Sequence, residues 1–121
     1  MTTTTIAALQ ERAYRQSVEK GFHDDEPTEG RALLSLNAER IALIHSELSE
    51  AVEELRKGVP ADATYYYDAT PEKPEGVPSE MADVVIRVLD FCGANNINLE
   101  AMILEKLDFN QSRPARHGKQ F

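Results

Sequence analysis

Residues 80–92, EMADVVIRVLDFC, decide the fold of this chain. A helix drawn through them is apolar over most of its circumference, and such a helix belongs in the middle of a protein. Its polar stripe is narrow and consists of Glu80, Asp83, Arg87 and Asp90. We therefore predict a central helix from about Glu80 to Ala94, with Ser79 as its N-cap.

Apolar residues recur at helical spacing in three further segments. These run from about Thr5 to Lys20, from about Arg31 to Lys57, and from an N-cap at Asn98 to about Ser112. No strand-like alternation stands out. We predict an all-α fold, an antiparallel bundle of about four helices in one domain over residues 1–121. A chain of this size buries more apolar surface as an oligomer, so we expect a homodimer or homotetramer.

The second helix carries a long apolar stripe that we expect to face the core. The stripe consists of Leu34, Ala38, Ile41, Ile44, Leu48, Val52 and Leu55. After this helix, residues 58–78 are rich in proline and glycine and are predicted to form a long loop. The run Tyr65–Tyr67 in that loop has two interpretations, a base-stacking surface or a patch that packs the loop onto a helix.

The composition limits the compartment and the partners. Acidic residues number 21 against 13 basic ones, a net charge of −8, so we expect neither nucleic acid nor a membrane as a partner. Residues 1–10 lack the pattern of a signal peptide, and no apolar run is long enough to span a membrane. The single cysteine, Cys92, is expected to be a small buried hydrophobe. These features together favour a cytoplasmic location.

Two acidic pairs lie on the predicted helices, Glu47 with Glu50 and Glu80 with Asp83. A spacing of three residues places both members of a pair on one helical face, where they can chelate one ion or two adjacent ions. Oxygen ligands favour Mg²⁺, with Mn²⁺ or Ca²⁺ as alternatives. An ion pair from Arg87 to Asp83 or Asp90 is the structural alternative for part of this stripe.

Other metals fit the sequence less well. Carboxylate-bridged di-iron bundles use Glu-x-x-His motifs, and none of the three histidines follows a glutamate at that spacing. Thiol and imidazole ligands at zinc-binding spacing are missing as well. The acidic pairs therefore predict a hard divalent cation.

A second cluster of polar residues occupies the C-terminal region, where residues 109–121 contain no acid. Guanidinium, ammonium and amide donors suit phosphate oxygens, although cations near a helix C-terminus also complement its dipole. The candidate phosphate-binding residues are Lys106, Asn110, Arg113, Arg116 and Lys119. An acidic metal site together with a basic phosphate site predicts phosphoryl chemistry on a polyphosphate.

Four motifs in order resemble the MazG-like nucleoside triphosphate pyrophosphohydrolases. Along the chain they are Lys20-Gly21-Phe22, IHSELSEA at residues 44–51, EMADV at 80–84, and KLDFN at 106–110 with RPARHGK at 113–119. The resemblance covers nearly the whole chain. Ser46 stands where that family often has another glutamate, and the 29 residues between Glu50 and Glu80 form an unusually long insert.

The resemblance implies an all-α oligomer that hydrolyses a nucleoside triphosphate between its α- and β-phosphates, giving a monophosphate and pyrophosphate. It implies that Glu47, Glu50, Glu80 and Asp83 hold Mg²⁺. Either Glu50 or Glu47 would activate the attacking water. Phe22 and His23 are candidates for contact with the base.

Two other functions remain open from the sequence. A pyrophosphohydrolase of a related helical family, acting on a phosphoribosyl metabolite, would use similar carboxylates. A noncatalytic helical adaptor would bind a nucleotide or a protein partner without turnover.

Overall fold

A computed structural model describes residues 3–121, and in that range the protein is mostly helical. The helices are α1 (Ile6–Glu19), α2 (Gly30–Arg56), α3 (Val77–Ala94) and α4 (Leu99–Gln111). The strands are β1 (Tyr65–Tyr67) and β2 (Thr70–Glu75), and a short 3-10 helix covers Ala115–Gly118. None of the helices described is both long and apolar enough to cross a membrane.

The third helix is central, as its sequence predicts. Both α1 and α2 pack against α3, and α3 contributes the buried side chains of Leu89 and Cys92. The approach of α1 is very close at Gly93, where an added Cβ atom would lie 2.6 Å from the Cβ atom of Tyr14. Only glycine leaves room for this packing.

The starts of two helices agree with the predictions from the sequence, and the start of a third does not. The hydroxyl of Thr5 accepts the amide of Ala8, and the side chain of Asn98 accepts the amide of Ala101, so Asn98 is confirmed as an N-cap. The prediction of Ser79 as the α3 N-cap is wrong, because α3 begins at Val77 after Gly76. The Pro residue in its first turn suits that earlier start.

The prediction of a loop over residues 58–78 is wrong in its middle part. Strands β1 and β2 form an antiparallel hairpin in which Tyr65 lies opposite Glu75 and Tyr67 opposite Thr70. The prolines in β2 argue against a strand when the sequence is read alone. A two-stranded ribbon has free edges, however, and proline is tolerated there. Gly76 then joins β2 to α3 with φ 112°, and a Cβ atom there would lie 2.3 Å from the carbonyl oxygen of Ala63.

The apolar stripe of α2 does not face the core of this chain, so that prediction is wrong for a single copy. Leu34 is 71% exposed and Val52 54% exposed, and Ile41, Leu48 and Leu55 are exposed too. The fourth helix contacts mainly α1, and its side chains Leu104, Leu107 and Phe109 are also exposed. The described chain therefore has large apolar surfaces that nothing within it covers.

The contact at Gly93 gives a test of the helix packing. We expect Gly93→Ala to lower the free energy of unfolding by about 1–3 kcal/mol, because the new methyl group would overlap Tyr14. Urea unfolding followed by circular dichroism measures the change. Ser35→Ala, at an exposed position of α2, is the control for helix propensity and should change stability little. A Gly93→Ala variant as stable as the parent would contradict the close packing of α1 on α3.

Candidate functional site

Carboxylates from α2 and α3 meet at one place on the protein. Glu47 of α2 and the pair Glu80 and Asp83 of α3 each place one oxygen within 4.8 Å of the others. The packing of α2 on α3 produces this cluster, because the spacing of three residues keeps Glu80 and Asp83 on the same face. The structure thus brings together three of the four carboxylates that the sequence selects.

The fourth carboxylate, Glu50, lies beside Glu80. Burial and the neighbouring charge of Glu50, with which Glu80 can share a proton, raise the pKa of Glu80 to about 7. Burial and the charge of Glu47 also raise the pKa of Asp83 above its usual value. The four groups, which we call the carboxylate cluster, therefore repel one another unless a proton or a cation reduces their charge.

One oxygen of the carboxylate cluster is buried without a partner. Among the residues that the structure describes, the Oε2 atom of Glu80 is a buried side-chain oxygen that accepts no hydrogen bond. Such an atom is costly to bury unless a proton or a metal ion satisfies it. The ligand atoms around it are carboxylate oxygens, which suit a hard cation such as Mg²⁺ or Mn²⁺ better than zinc, whose usual ligands include thiolate and imidazole groups.

Arg87 also belongs to this site, but with a different partner from those expected. Its Nε atom donates to Oε1 of Glu47 at 2.8 Å, so the predicted ion pair with Asp83 or Asp90 is replaced by one between α3 and α2. This contact fixes the carboxylate of Glu47, whose side chain is only 12% exposed. Arg87 therefore positions Glu47 and offsets part of the negative charge.

A cleft of about 680 Å³ leads away from the carboxylate cluster between α1, α2 and α3. Glu47 and Asp83 lie on its wall, and its apolar lining includes Leu43, Ile86 and Phe91. Phe22, a candidate for contact with a base, also lines this cleft and is 72% exposed. A space of this size can hold a small-molecule ligand such as a nucleoside.

His23, the other candidate for base contact, is placed differently. Its side chain is only 6% exposed, and its ring nitrogens contact Glu26 at 2.9 Å and Asp90 at 2.8 Å. Burial lowers the pKa of His23, but its hydrogen bonds to these carboxylates outweigh burial and raise that pKa above 6.5. Both ring nitrogens are engaged within the chain, which makes His23 a link between α3 and the segment after α1.

Three residues of this network cannot be identified from the sequence alone. Arg40 of α2 donates to Glu26 at 2.7 Å, and Ser17 of α1 donates to Asp90 at 2.8 Å. Glu26 lies in a segment rich in acids, Pro and Gly, where nothing in the local pattern distinguishes one carboxylate from another. Only the tertiary structure identifies it as a partner of His23.

The candidate phosphate-binding residues of the C-terminal region do not line the cleft. Lys106 and Arg113 instead lie over the ring of Phe109, at 5.1 and 5.6 Å from its centre. Arg116 donates to the carbonyl oxygen of Gln120 at 2.9 Å. Within one chain, Asn110 and Lys119 are likewise absent from the lining of the cleft. These residues keep their predicted role only if a second copy or a movement of the tail brings them to the ligand.

One tyrosine of the hairpin, Tyr65, contacts both α2 and the ring of Tyr67. The hydroxyl of Tyr65 contacts both carboxylate oxygens of Glu54, at 3.0 and 2.8 Å, and Glu54 is buried. This hydrogen bond with Glu54 raises the pKa of Tyr65 above its ordinary value. The ring of Tyr67 meets that of Tyr65 edge to face, 5.6 Å away. These contacts favour the packing interpretation of the Tyr65–Tyr67 run.

The chain matches no family model, no curated protein and no solved structure. Its motif resemblance to the MazG-like enzymes therefore stays a prediction. Support for any function comes from the carboxylate cluster and the cleft beside it.

The raised pKa of Glu80 predicts a pH-dependent effect of Glu80→Gln on the metal-free protein. A carboxyl group whose folded pKa is about 7 stabilises the fold fully below its ordinary pKa of 4.5, and this stabilisation is lost as the pH rises through 7. Glutamine mimics the protonated form at every pH. We expect Glu80→Gln to match the parent at pH 5 and to exceed its stability by about 1–2 kcal/mol at pH 8, allowing for solvent screening.

Chemical unfolding in the presence of a chelator, at both pH values, measures this difference. Glu53→Gln is the matched control, because Glu53 is exposed on α2 and pairs with Arg56 outside the carboxylate cluster. An equal effect of the two variants at pH 8 would mean that Glu80 is not under electrostatic strain.

Proposed function

We propose that the protein is a Mg²⁺-dependent pyrophosphohydrolase that cleaves a nucleoside triphosphate or deoxynucleoside triphosphate between its α- and β-phosphates. The observation that carries this proposal is the carboxylate cluster, with its unpartnered Glu80 oxygen, at the wall of a nucleoside-sized cleft. A polyphosphate bound through a divalent cation needs both elements side by side. The order of the sequence motifs points to the same reaction.

The carboxylates have distinct tasks in this proposal. Glu47, Glu80 and Asp83 hold the cation, and Arg87 keeps the carboxylate of Glu47 in position through its hydrogen bond of 2.8 Å. Bound Mg²⁺ supplies charge neutralisation on the phosphate oxygens and lowers the pKa of a water molecule. We assign the role of general base to Glu50, because its carboxylate is exposed and neighbours that of Glu80.

The cleft supplies the remaining binding energy. Leu43, Ile86 and Phe91 offer apolar contacts to a nucleoside, and Phe22 offers an aromatic face at an exposed position. Hydrolysis breaks the bridging bond between the α- and β-phosphates, and the products are a nucleoside monophosphate and pyrophosphate. The preferred base depends on this lining, because the carboxylate cluster contacts only the phosphates.

The open apolar surfaces of α2 and α4 support a homo-oligomer. Leu34, Val52 and Leu107 are each more than half exposed in the single chain, which is unusual for a stable monomer. A second copy covering them would also offer a route by which Arg113, Arg116 and their neighbours reach the phosphates. The biological unit of this proposal is therefore a dimer or a tetramer.

A nucleotide panel with Mg²⁺ tests the reaction directly. We expect release of monophosphate and pyrophosphate from at least one triphosphate, and a loss of kcat of about a hundredfold or more in Glu50→Gln and in Asp83→Asn. Chromatography of the nucleotides and an enzymatic pyrophosphate assay measure the products. Glu53→Gln is the matched control and should keep full activity, since Glu53 is exposed and paired with Arg56.

The other outcomes of this panel are informative too. Intact nucleotides in the presence of folded protein and Mg²⁺ would contradict the proposed reaction. Nucleotide binding without turnover would instead indicate the noncatalytic adaptor. Turnover restricted to a phosphoribosyl metabolite would indicate the related helical pyrophosphohydrolase.

The assembly is tested by light scattering after size-exclusion chromatography. We expect a mass at least twice that of the 13.5 kDa chain, because the stripe on α2 needs a cover. Val52→Glu should lower the mass toward that of one chain, since a charge in an apolar interface is costly. The control is Arg56→Glu, at an exposed polar position on α2. A monomeric parent at micromolar concentration would contradict the oligomer.

A further inference from the structure

The hairpin β1–β2 is fixed to both helices that supply the carboxylate cluster. Tyr65 of β1 is hydrogen-bonded to the buried Glu54, one turn after Glu50 on α2. At the other end, β2 passes through the tightly packed Gly76 straight into α3, one turn before Glu80. The position of β2 relative to the carboxylate cluster is therefore set at two points.

Lys73 lies on the face of β2 that is turned toward the protein. Side chains alternate along a strand, so Lys73 and Glu75 share one face of β2, and their ion pair of 3.0 Å agrees with this. Glu75 is only 16% exposed, which shows that this face is turned toward the protein, whereas Lys73 itself is 68% exposed. The Lys73 ammonium group thus lies at the edge of the protein with one charged partner and room for another.

The charges of Lys73 and the carboxylate cluster affect each other. The pKa of Lys73 is raised mainly by its hydrogen bond to Glu75, and the charges of Glu80 and Asp83 add to that effect. In turn, Lys73 acts against the burial and the Glu47 charge that raise the pKa of Asp83. Strand β2 contacts α3, which carries Glu80 and Asp83, and these electrostatic effects agree with a position of Lys73 on the α3 side of the carboxylate cluster.

The sites lie in a definite order along α3. Ile86 lies in the cleft, Asp83 lies on its wall, Glu80 comes one turn earlier, and the hairpin precedes the start of the helix. From Ile86 to Glu80 the helix rises by about 9 Å, which is comparable with the length of a triphosphate chain. A nucleotide with its base in the cleft and its phosphates along the carboxylate cluster would therefore end near Lys73.

We propose that Lys73 binds the terminal phosphates of the substrate and the departing pyrophosphate, and so selects triphosphates over shorter nucleotides. This proposal rests on the pyrophosphohydrolase function proposed above. An ammonium group has three N–H donors, and the contact with Glu75 uses one of them. Tyr65 and Glu54 are positioning residues in this scheme, because they hold the strand that carries Lys73.

Steady-state kinetics of Lys73→Ala test the proposal. We expect KM for the preferred triphosphate to rise about tenfold and inhibition by inorganic pyrophosphate to weaken about tenfold, since one charge-assisted contact is lost. The parameters for the matching diphosphate should change less than twofold. Lys73→Arg keeps the charge and should restore most of the pyrophosphate inhibition. Arg56→Ala is the matched control for loss of an exposed cation.

Tyr65→Phe tests the positioning role. This variant removes only the hydroxyl that contacts Glu54, and we expect it to raise KM for the triphosphate in the parent. In the Lys73→Ala background the same change should have little further effect, because both substitutions act on one contact. Additive effects would mean that Tyr65 does not act through Lys73, and would overturn that part of the proposal.

The outcomes separate this proposal from the function on which it rests. If the parent hydrolyses triphosphates and Lys73→Ala keeps the same KM and the same pyrophosphate inhibition, the role of Lys73 is overturned and the reaction stands. If Lys73→Ala only tightens the binding of Mg²⁺ measured by calorimetry without phosphate, Lys73 serves to balance charge and the proposal fails. A parent that neither hydrolyses triphosphates nor binds pyrophosphate with Mg²⁺ overturns both.

Discussion

Repulsion among the carboxylates of α2 and α3 is the constraint on which the rest of this structure depends. Helix packing holds Glu47, Glu80 and Asp83 within 4.8 Å of one another, and Glu50 adds its charge to Glu80. Carboxylates placed so close together cannot all be ionised without a counter-charge. The pKa of Glu80 is raised because its burial and these neighbouring groups make its ionisation unfavourable. The fold tolerates this strain because α3 is anchored elsewhere by apolar packing, at Leu89, Cys92 and the contact of Gly93 with Tyr14.

The two ends of α3 therefore have different tasks. Its C-terminal half packs on α1 and supplies Asp90 to the network around His23, which ties the segment after α1 to the central helix. Its N-terminal half carries the charged groups and receives the hairpin through Gly76. The packed C-terminal half of α3 thus anchors the helix whose N-terminal half carries the clustered carboxylates.

The sequence predicts the site better than it predicts the surface. The shared face of Glu80 and Asp83 follows from helical periodicity, and the nearly continuous apolar surface of α3 indicates its central place, because both patterns can be read within one helix. The prediction that the apolar stripe of α2 faces the core of the chain was wrong. Periodicity shows that Leu34 and Val52 share a face, but it does not show which molecule covers that face. The partner of Arg87 could not be read from α3 alone, because Glu47 lies 40 residues away.

The hairpin shows how this chain can change without disturbing the carboxylate cluster. Its joint at Gly76 is packed against the carbonyl oxygen of Ala63 and cannot accept a side chain, whereas the turn at Asp68 and Ala69 is exposed. Insertions or deletions at the turn would lengthen or shorten the ribbon beyond the joint and leave the carboxylates where they are. The hairpin can therefore vary in length beside a fixed carboxylate cluster, and related chains could differ in what they bind by altering that hairpin alone.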